Sequence, residues 1–160
     1  YLLTLTIKEL KTLKIQDEAK NMLANMQNTA TTTTVSTNVK CERSATWWMS
    51  LDPWSFEKEI ANLFKLQGYN VKVTRGSGDG GVDLFLTKDN CNIIVQCKQY
   101  THPVPPEPIR ALWGIRDDFG ADKVILIATN GITSSGKRFI NNKPEYIVYT
   151  LDDIVKMSMQ

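Results

Sequence analysis

Histidine is almost missing from this chain: His102 is the only one among 160 residues. Cysteine is scarce as well, and Cys41, Cys91 and Cys97 are odd in number and lack CxxC spacing. A disulfide framework and a structural zinc site are therefore not expected, and the chain reads as one for a reducing cytoplasm. No apolar run approaches the roughly 20 residues that span a bilayer, and no signal-peptide pattern opens the chain, so no membrane is expected among its partners. A surplus of charge is missing too. The formal net charge is +2, and it resides before Trp47, where 6 Lys+Arg face 4 Asp+Glu; from Trp47 onward the count is 13 against 13. Any grip on a polyanion must come from local clustering.

The length suits one domain with its own core, and a chain that starts at Tyr1 reads as a piece of something longer. Residues 1–28 carry apolar positions at Leu3, Ile7, Leu10 and Leu13, then at Ala19, Met22, Leu23 and Met26, the spacing of an amphipathic helical segment. Residues 29–46 are Thr-rich and without helical period, which reads as a linker. The remaining residues, 47–160, form the main domain. Trp47-Trp48-Met49 is a dense apolar patch suited to closing a core. Asp52 and Pro53 are a helix start, Phe56, Ile60, Leu63, Phe64 and Leu66 its buried stripe, and Gly68 its stop.

Three strands are predicted next, at Tyr69 to Thr74, Val82 to Thr87 and Cys91 to Cys97, as an antiparallel meander. Between the first two lie four glycines in six residues, a tight loop without the GK[ST] ending of a phosphate-binding loop. Pro103 to Pro108 is expected to be a stiff non-helical connection, followed by a helix from Pro108 to Phe119. Lys123 to Thr129 is nearly all apolar, as for a strand buried on both faces and parallel to a neighbour. A helix from Ser134, a strand at Tyr146 to Thr150 and a last helix from Leu151 complete the pattern. The fold class is α/β, a mixed β-sheet flanked by helices with core order α-β-β-β-α-β-α-β.

The chemistry centres on Asp83 and on Gln96-Cys97-Lys98, which one hairpin presents together. Hydrolysis of a phosphodiester needs a water nucleophile and a cation that neutralises developing charge. Asp83 offers a carboxylate, Gln96 an amide oxygen and Cys97 a backbone carbonyl, all oxygens that suit Mg²⁺. Residues two apart on a strand share a face, so Gln96 and Lys98 pair while Cys97 turns into the core. On spacing alone Glu57 is a solvated acid in the first turns of its helix.

These residues also carry a family resemblance. Asp52-Pro53-Trp54-Ser55-Phe56-Glu57, Gly68-Tyr69, Thr74 with Ser77-Gly78-Asp79-Gly80-Gly81-Val82-Asp83, and Val95-Gln96-Cys97-Lys98-Gln99-Tyr100 stand in the order seen in Mrr-like restriction endonuclease catalytic domains. These are a branch of the PD-(D/E)XK nucleases, and the resemblance runs from Asp52 to about Met157. It implies a restriction-endonuclease-like fold and a Mg²⁺-dependent endodeoxyribonuclease, with Mn²⁺ able to replace the metal, acting on DNA in restriction or anti-phage defence, of type II or type IV kind. It implies that Asp83 binds the metal, that Gln96 replaces the usual acidic residue, that Lys98 assists the attacking water and that Glu57 is an accessory acid at the metal. A homodimer, or a place in a larger multidomain chain, is expected, because cutting both strands takes two sites. Alternatives of the same fold are a non-catalytic DNA-binding module and a nuclease for DNA junctions or RNA. Arg75, Ser77, Asp79, His102, Lys137 and Arg138, with Arg110, are candidate substrate contacts; each also has a plain reading as a turn former or a solvated charge.

Overall fold

The computed structural model describes residues 43–74 and 80–160, and 43–160 form one compact unit. The helical segment expected at 1–28 and the linker as far as residue 42 lie outside the described residues. Within the last part of the stretch read as linker, Ser44 caps a short helix, α1 (Ala45–Ser50), its side chain accepting from the Trp47 amide at 3.2 Å. The Trp47-Trp48-Met49 patch is thus helical, and Trp48 is fully buried with its ring edge-on to Phe56 at 5.8 Å.

Asp52 then caps α2 (Pro53–Leu66), accepting from the Ser55 amide at 3.1 Å, with Pro53 in the first turn where its missing N–H costs nothing. Phe56, Ile60, Ala61, Leu63 and Phe64 are its buried side. Gly68 follows at φ +85°, a left-handed stop open to glycine. Strand β1 (Asn70–Val73) pairs antiparallel with β2 (Leu84–Lys88), and β2 with β3 (Cys91–Lys98). Asp89 and Asn90 join β2 to β3 with φ of 50° and 62°, the two positive values of a type I′ hairpin turn, which these residue types tolerate.

The connection after β3 departs from expectation. Helix α3 spans Pro106–Gly114, so Pro106 and Pro108 lie inside it, and a separate 3-10 turn covers Asp117–Phe119. The first turn of a helix has no intrahelical use for its N–H groups, so two prolines there are compatible with the helix they were expected to prevent. Strand β4 (Lys123–Ala128) runs parallel to β3; α4 (Ser134–Ile140), β5 (Tyr146–Tyr149) parallel to β4, and α5 (Leu151–Ser158) complete the unit.

The result is a mixed five-stranded sheet in the order β1-β2-β3-β4-β5, flanked by helices. Alternation along β4 separates two cores: Ile125 and Ile127 join Trp48, Phe56, Ile60 and Ile154, whereas Val124, Leu126 and Ala128 join Ile109 and Leu112. Helices α2 and α5 thus cover one face, and α3 and α4 the other. Each large side chain buried this way contributes about 1.5–3 kcal/mol, which fixes the sheet between its two layers. The parallel strands β3, β4 and β5 end together, and beyond their carboxyl ends open α/β sheets form their sites. Among the described residues no helix is long and apolar enough to cross a membrane.

Candidate active site

Asp83 stands one residue ahead of β2, and backbone bonds fix it on both sides. Its N–H donates to the Val95 carbonyl at 2.8 Å, and its carbonyl accepts from the Thr74 N–H at 2.9 Å and the Thr74 hydroxyl at 3.0 Å. Its carboxylate Oδ2 accepts from the Cys97 N–H at 2.6 Å, a charge-assisted bond across the end of the hairpin. The N–H and C=O of one strand residue face the same neighbour, so the Cys97 carbonyl is turned to the side of Asp83. The next carbonyl, of Lys98, is turned the other way, accepting from the Thr129 N–H at 3.1 Å.

Gln96 is buried, and its amide is oriented by one partner. Nε2 donates to the Gly81 carbonyl at 2.8 Å, while Oε1 is buried without a hydrogen-bond partner. A flipped amide would set oxygen against oxygen at Gly81, so the free end is the acceptor. Gly81 has φ +84°, and a Cβ there would lie 2.5 Å from Gln96 Nε2. Both the backbone angle and the close approach require glycine.

Glu57 comes from the other layer, in the second turn of α2. It lines a small cleft of about 130 Å³ with Pro53, Phe56, Lys98, Gln99 and Tyr100. Burial holds its carboxyl above the ordinary carboxylate range, the nearby charge of Asp83 adds to this, and Lys98 opposes it. Burial likewise raises Asp83, against the pull of the Cys97 N–H and of Lys98. Two partly buried carboxylates therefore lie within electrostatic reach of each other. Among the described residues the ion pairs are Arg43–Glu59 and Arg116–Asp117, so Lys98 is near both acids and closes on neither. Cys97 packs with the α2-side core, and burial together with the two acids pushes its thiol well up.

Asp83 is thus bonded to the Cys97 backbone, and Glu57, Cys97 and Lys98 line one cleft at the end of β3, while Gln96, buried beside Gly81, is not among that cleft's lining residues. The structure does not bring the expected substrate contacts to the cleft in the same way. His102 is exposed, its Nδ1 3.3 Å from the Pro103 carbonyl oxygen and its ring 5.1 Å from that of Tyr100. Lys137 and Arg138 are exposed on α4, Arg138 donating to Ser135 at 3.0 Å, and Arg110 lies over the Phe139 ring; all three belong to the layer opposite α2. Arg75, Ser77 and Asp79 lie outside the described residues. Two features escape the sequence. One is the Gly81 carbonyl that orients Gln96. The other is Trp54, half exposed three residues before Glu57, with Lys58 Nζ 3.4 Å from its ring centroid. An i,i+4 aromatic–cation pair on a helix is a spacing signal that could have found the second.

Among the described residues no three His, Cys, Asp or Glu side chains gather as a metal would need. The donors here are two carboxylates, one orphaned amide oxygen and one backbone carbonyl. That set fits Mg²⁺, which binds through one or two carboxylates and keeps several waters, and it does not fit a zinc cage.

The sheet order and flanking helices define a class, the restriction-endonuclease-like α/β fold. Among solved structures, the modification-dependent restriction endonuclease AspBHI is similar with a TM-score of 0.56 and 16% identity, over 72% of this chain and 34% of that one. A protein of unknown function, AF1548, is similar with a TM-score of 0.50 and 12% identity, over 59% and 55% of the two chains. MspJI, solved with a 27-mer oligonucleotide, gives 0.49 and 19% identity over 77% and 32%. The chain thus spans about half the length of AF1548 and a third of each endonuclease. No curated protein matches the chain. A restriction endonuclease family model, that of the Mrr catalytic domain, matches residues 48–158. The chain belongs to this restriction endonuclease family.

Proposed function

We propose that this chain is the catalytic part of a divalent-metal-dependent endodeoxyribonuclease that hydrolyses DNA phosphodiester bonds in restriction or a related defence, in the cytoplasm. Its metal is Mg²⁺, with Mn²⁺ able to replace it. The observation that carries the reading is the buried Oε1 of Gln96, without a partner, at the end of the strand whose next residues bond to Asp83 and line the cleft with Glu57. An unsatisfied buried acceptor costs about 1–3 kcal/mol, and a cation there removes that cost. Bound at these oxygens, Mg²⁺ would neutralise charge developing on the phosphoryl oxygens and acidify a water.

The protein's own groups do the rest. Asp83, Gln96 Oε1, the Cys97 carbonyl and Glu57 would hold the cation, and Asp83 is kept in place by the Cys97 N–H. Lys98, its Nζ 5.6 Å from the Tyr100 ring centroid and in no ion pair among the described residues, would orient the attacking water. A second copy supplies the second strand cut.

A cleavage assay tests the reading: the purified chain with duplex, methylated, branched and single-stranded DNA, in Mg²⁺, Mn²⁺ or EDTA. Metal-dependent cutting of duplex DNA is the expected result. The neutral Gln96, a weaker cation ligand than a carboxylate, favours a second reading, a DNA-binding module without turnover. DNA affinity with no heat of Mg²⁺ or Mn²⁺ binding would select it.

A further inference from the structure

Gln99 follows Lys98 on the continuation of β3. Its Nε2 donates two hydrogen bonds, to the Trp48 carbonyl at 3.0 Å and to the Leu51 carbonyl at 2.9 Å, from 51 and 48 residues away. Leu51 is the C-cap of α1, and the last carbonyls of a helix have no partner within it. One side-chain nitrogen uses both its hydrogens to satisfy two of them. Among the described residues these are the only hydrogen bonds between the α1–α2 stretch and β3 with its continuation.

The corner held in this way launches the helix that carries Glu57. Asp52, next to Leu51, is the N-cap of α2, and Glu57 follows in its second turn. Trp48, the other residue held, is fully buried against Phe56, the neighbour of Glu57. Asp83, by contrast, is tied to β3 through Cys97. The acids of the two layers therefore meet across a joint whose hydrogen bonds run through one amide. A glutamate at 99 would set a carboxylate against two carbonyls, and a methionine of similar size would donate nothing.

We propose that Gln99 is a positioning residue that braces the α1–α2 corner on β3 and thereby sets Glu57 against Asp83 and Lys98. The inference rests on the cleft being the nuclease site. Both donor hydrogens of Gln99 are spent on backbone, so its amide nitrogen has none left for a substrate.

The test is a double-mutant comparison under single turnover, with Gln99→Met, Glu57→Gln and the pair, alongside melting temperature and KM for duplex DNA. Gln99→Met is expected to fold, to cut about tenfold more slowly or worse, as misplacement by an ångström can cost 10²-fold, and to leave KM within about twofold. The pair is expected to cut no more slowly than Glu57→Gln alone, because the brace acts through that carboxylate. Wild-type rates in Gln99→Met, or losses that multiply in the pair, overturn the brace. If Gln99→Met is unfolded, Gln99→Asn, with both donors on a shorter arm, takes its place in the same comparison, and the same rates support or overturn the brace. A Glu57→Gln variant that cuts normally overturns the brace by removing Glu57 from the site; if Lys98→Met also cuts normally, the nuclease site itself is wrong.

Discussion

Gln96 Nε2 donates to the Gly81 carbonyl at 2.8 Å, and this bond decides which end of the amide is left for a ligand. It also gives glutamine a reason at this position: the Gly81 carbonyl needs a donor opposite it. Gln96→Glu would replace that bond by two oxygens facing each other in a buried place. The variant is expected to lose about 1–3 kcal/mol in denaturant melts without metal and to cut more slowly. Unchanged stability with faster cutting would show that Gly81 does not select the amide.

Gly81→Ala acts on the same bond from the other side. The residue sits at φ +84° and its new Cβ would meet Gln96 Nε2 at 2.5 Å. Strain at such an angle costs about 1–3 kcal/mol, and the clash must also push Gln96 out of line. Lower stability and at least tenfold weaker Mn²⁺ binding by calorimetry, about 1.4 kcal/mol, are expected. Loss of stability with full metal affinity would separate the glycine from the site.

Asp83 and Glu57 are held above their ordinary values of 3.8 and 4.5, in each case chiefly by burial. The folded protein therefore binds protons more tightly at both groups than the unfolded chain does. Stability linked to them is fully present below the ordinary values and is lost as pH rises through the raised ones. In EDTA, Asp83→Asn removes its share of that loss while an amide oxygen can still accept from Cys97. Its melting temperature at pH 7 to 8 is expected to exceed the wild type's by a few degrees, in line with the gain of about 0.5–2 kcal/mol typical of relieved site strain, and the difference should shrink on acidification. A difference that grows toward acid would contradict the direction of the shift.

How far the sequence reaches follows from how local each signal is. The sheet is legible because each strand carries its own pattern, and the all-apolar run of β4 announces burial between two layers. Helix α1 is not, since its six residues carry no full helical period and its cap, Ser44, lies in a polar tract. The prolines of α3 read as breakers because their place within the first turn is unknown until the helix is seen. Asp83, Gln96 and Lys98 fall on one hairpin and are found together. Glu57 reads as solvated on spacing alone, although Ala61 and Phe64, four and seven residues on, are buried on its own stripe. The partners of Gln96 and Gln99 are backbone carbonyls 15 to 51 residues away, and no residue pattern marks a carbonyl as the one to be used.

The central claim, that the end of β3 is a metal-dependent cutting site, is tested most directly by single-turnover cleavage of duplex DNA in Mg²⁺ by wild type, Asp83→Asn and Lys98→Met, each first shown to be folded. Cutting by the wild type that stops in EDTA, and rates lower by on the order of 10²-fold or more in both variants, are expected. Folded variants that still cut at the wild-type rate would contradict it.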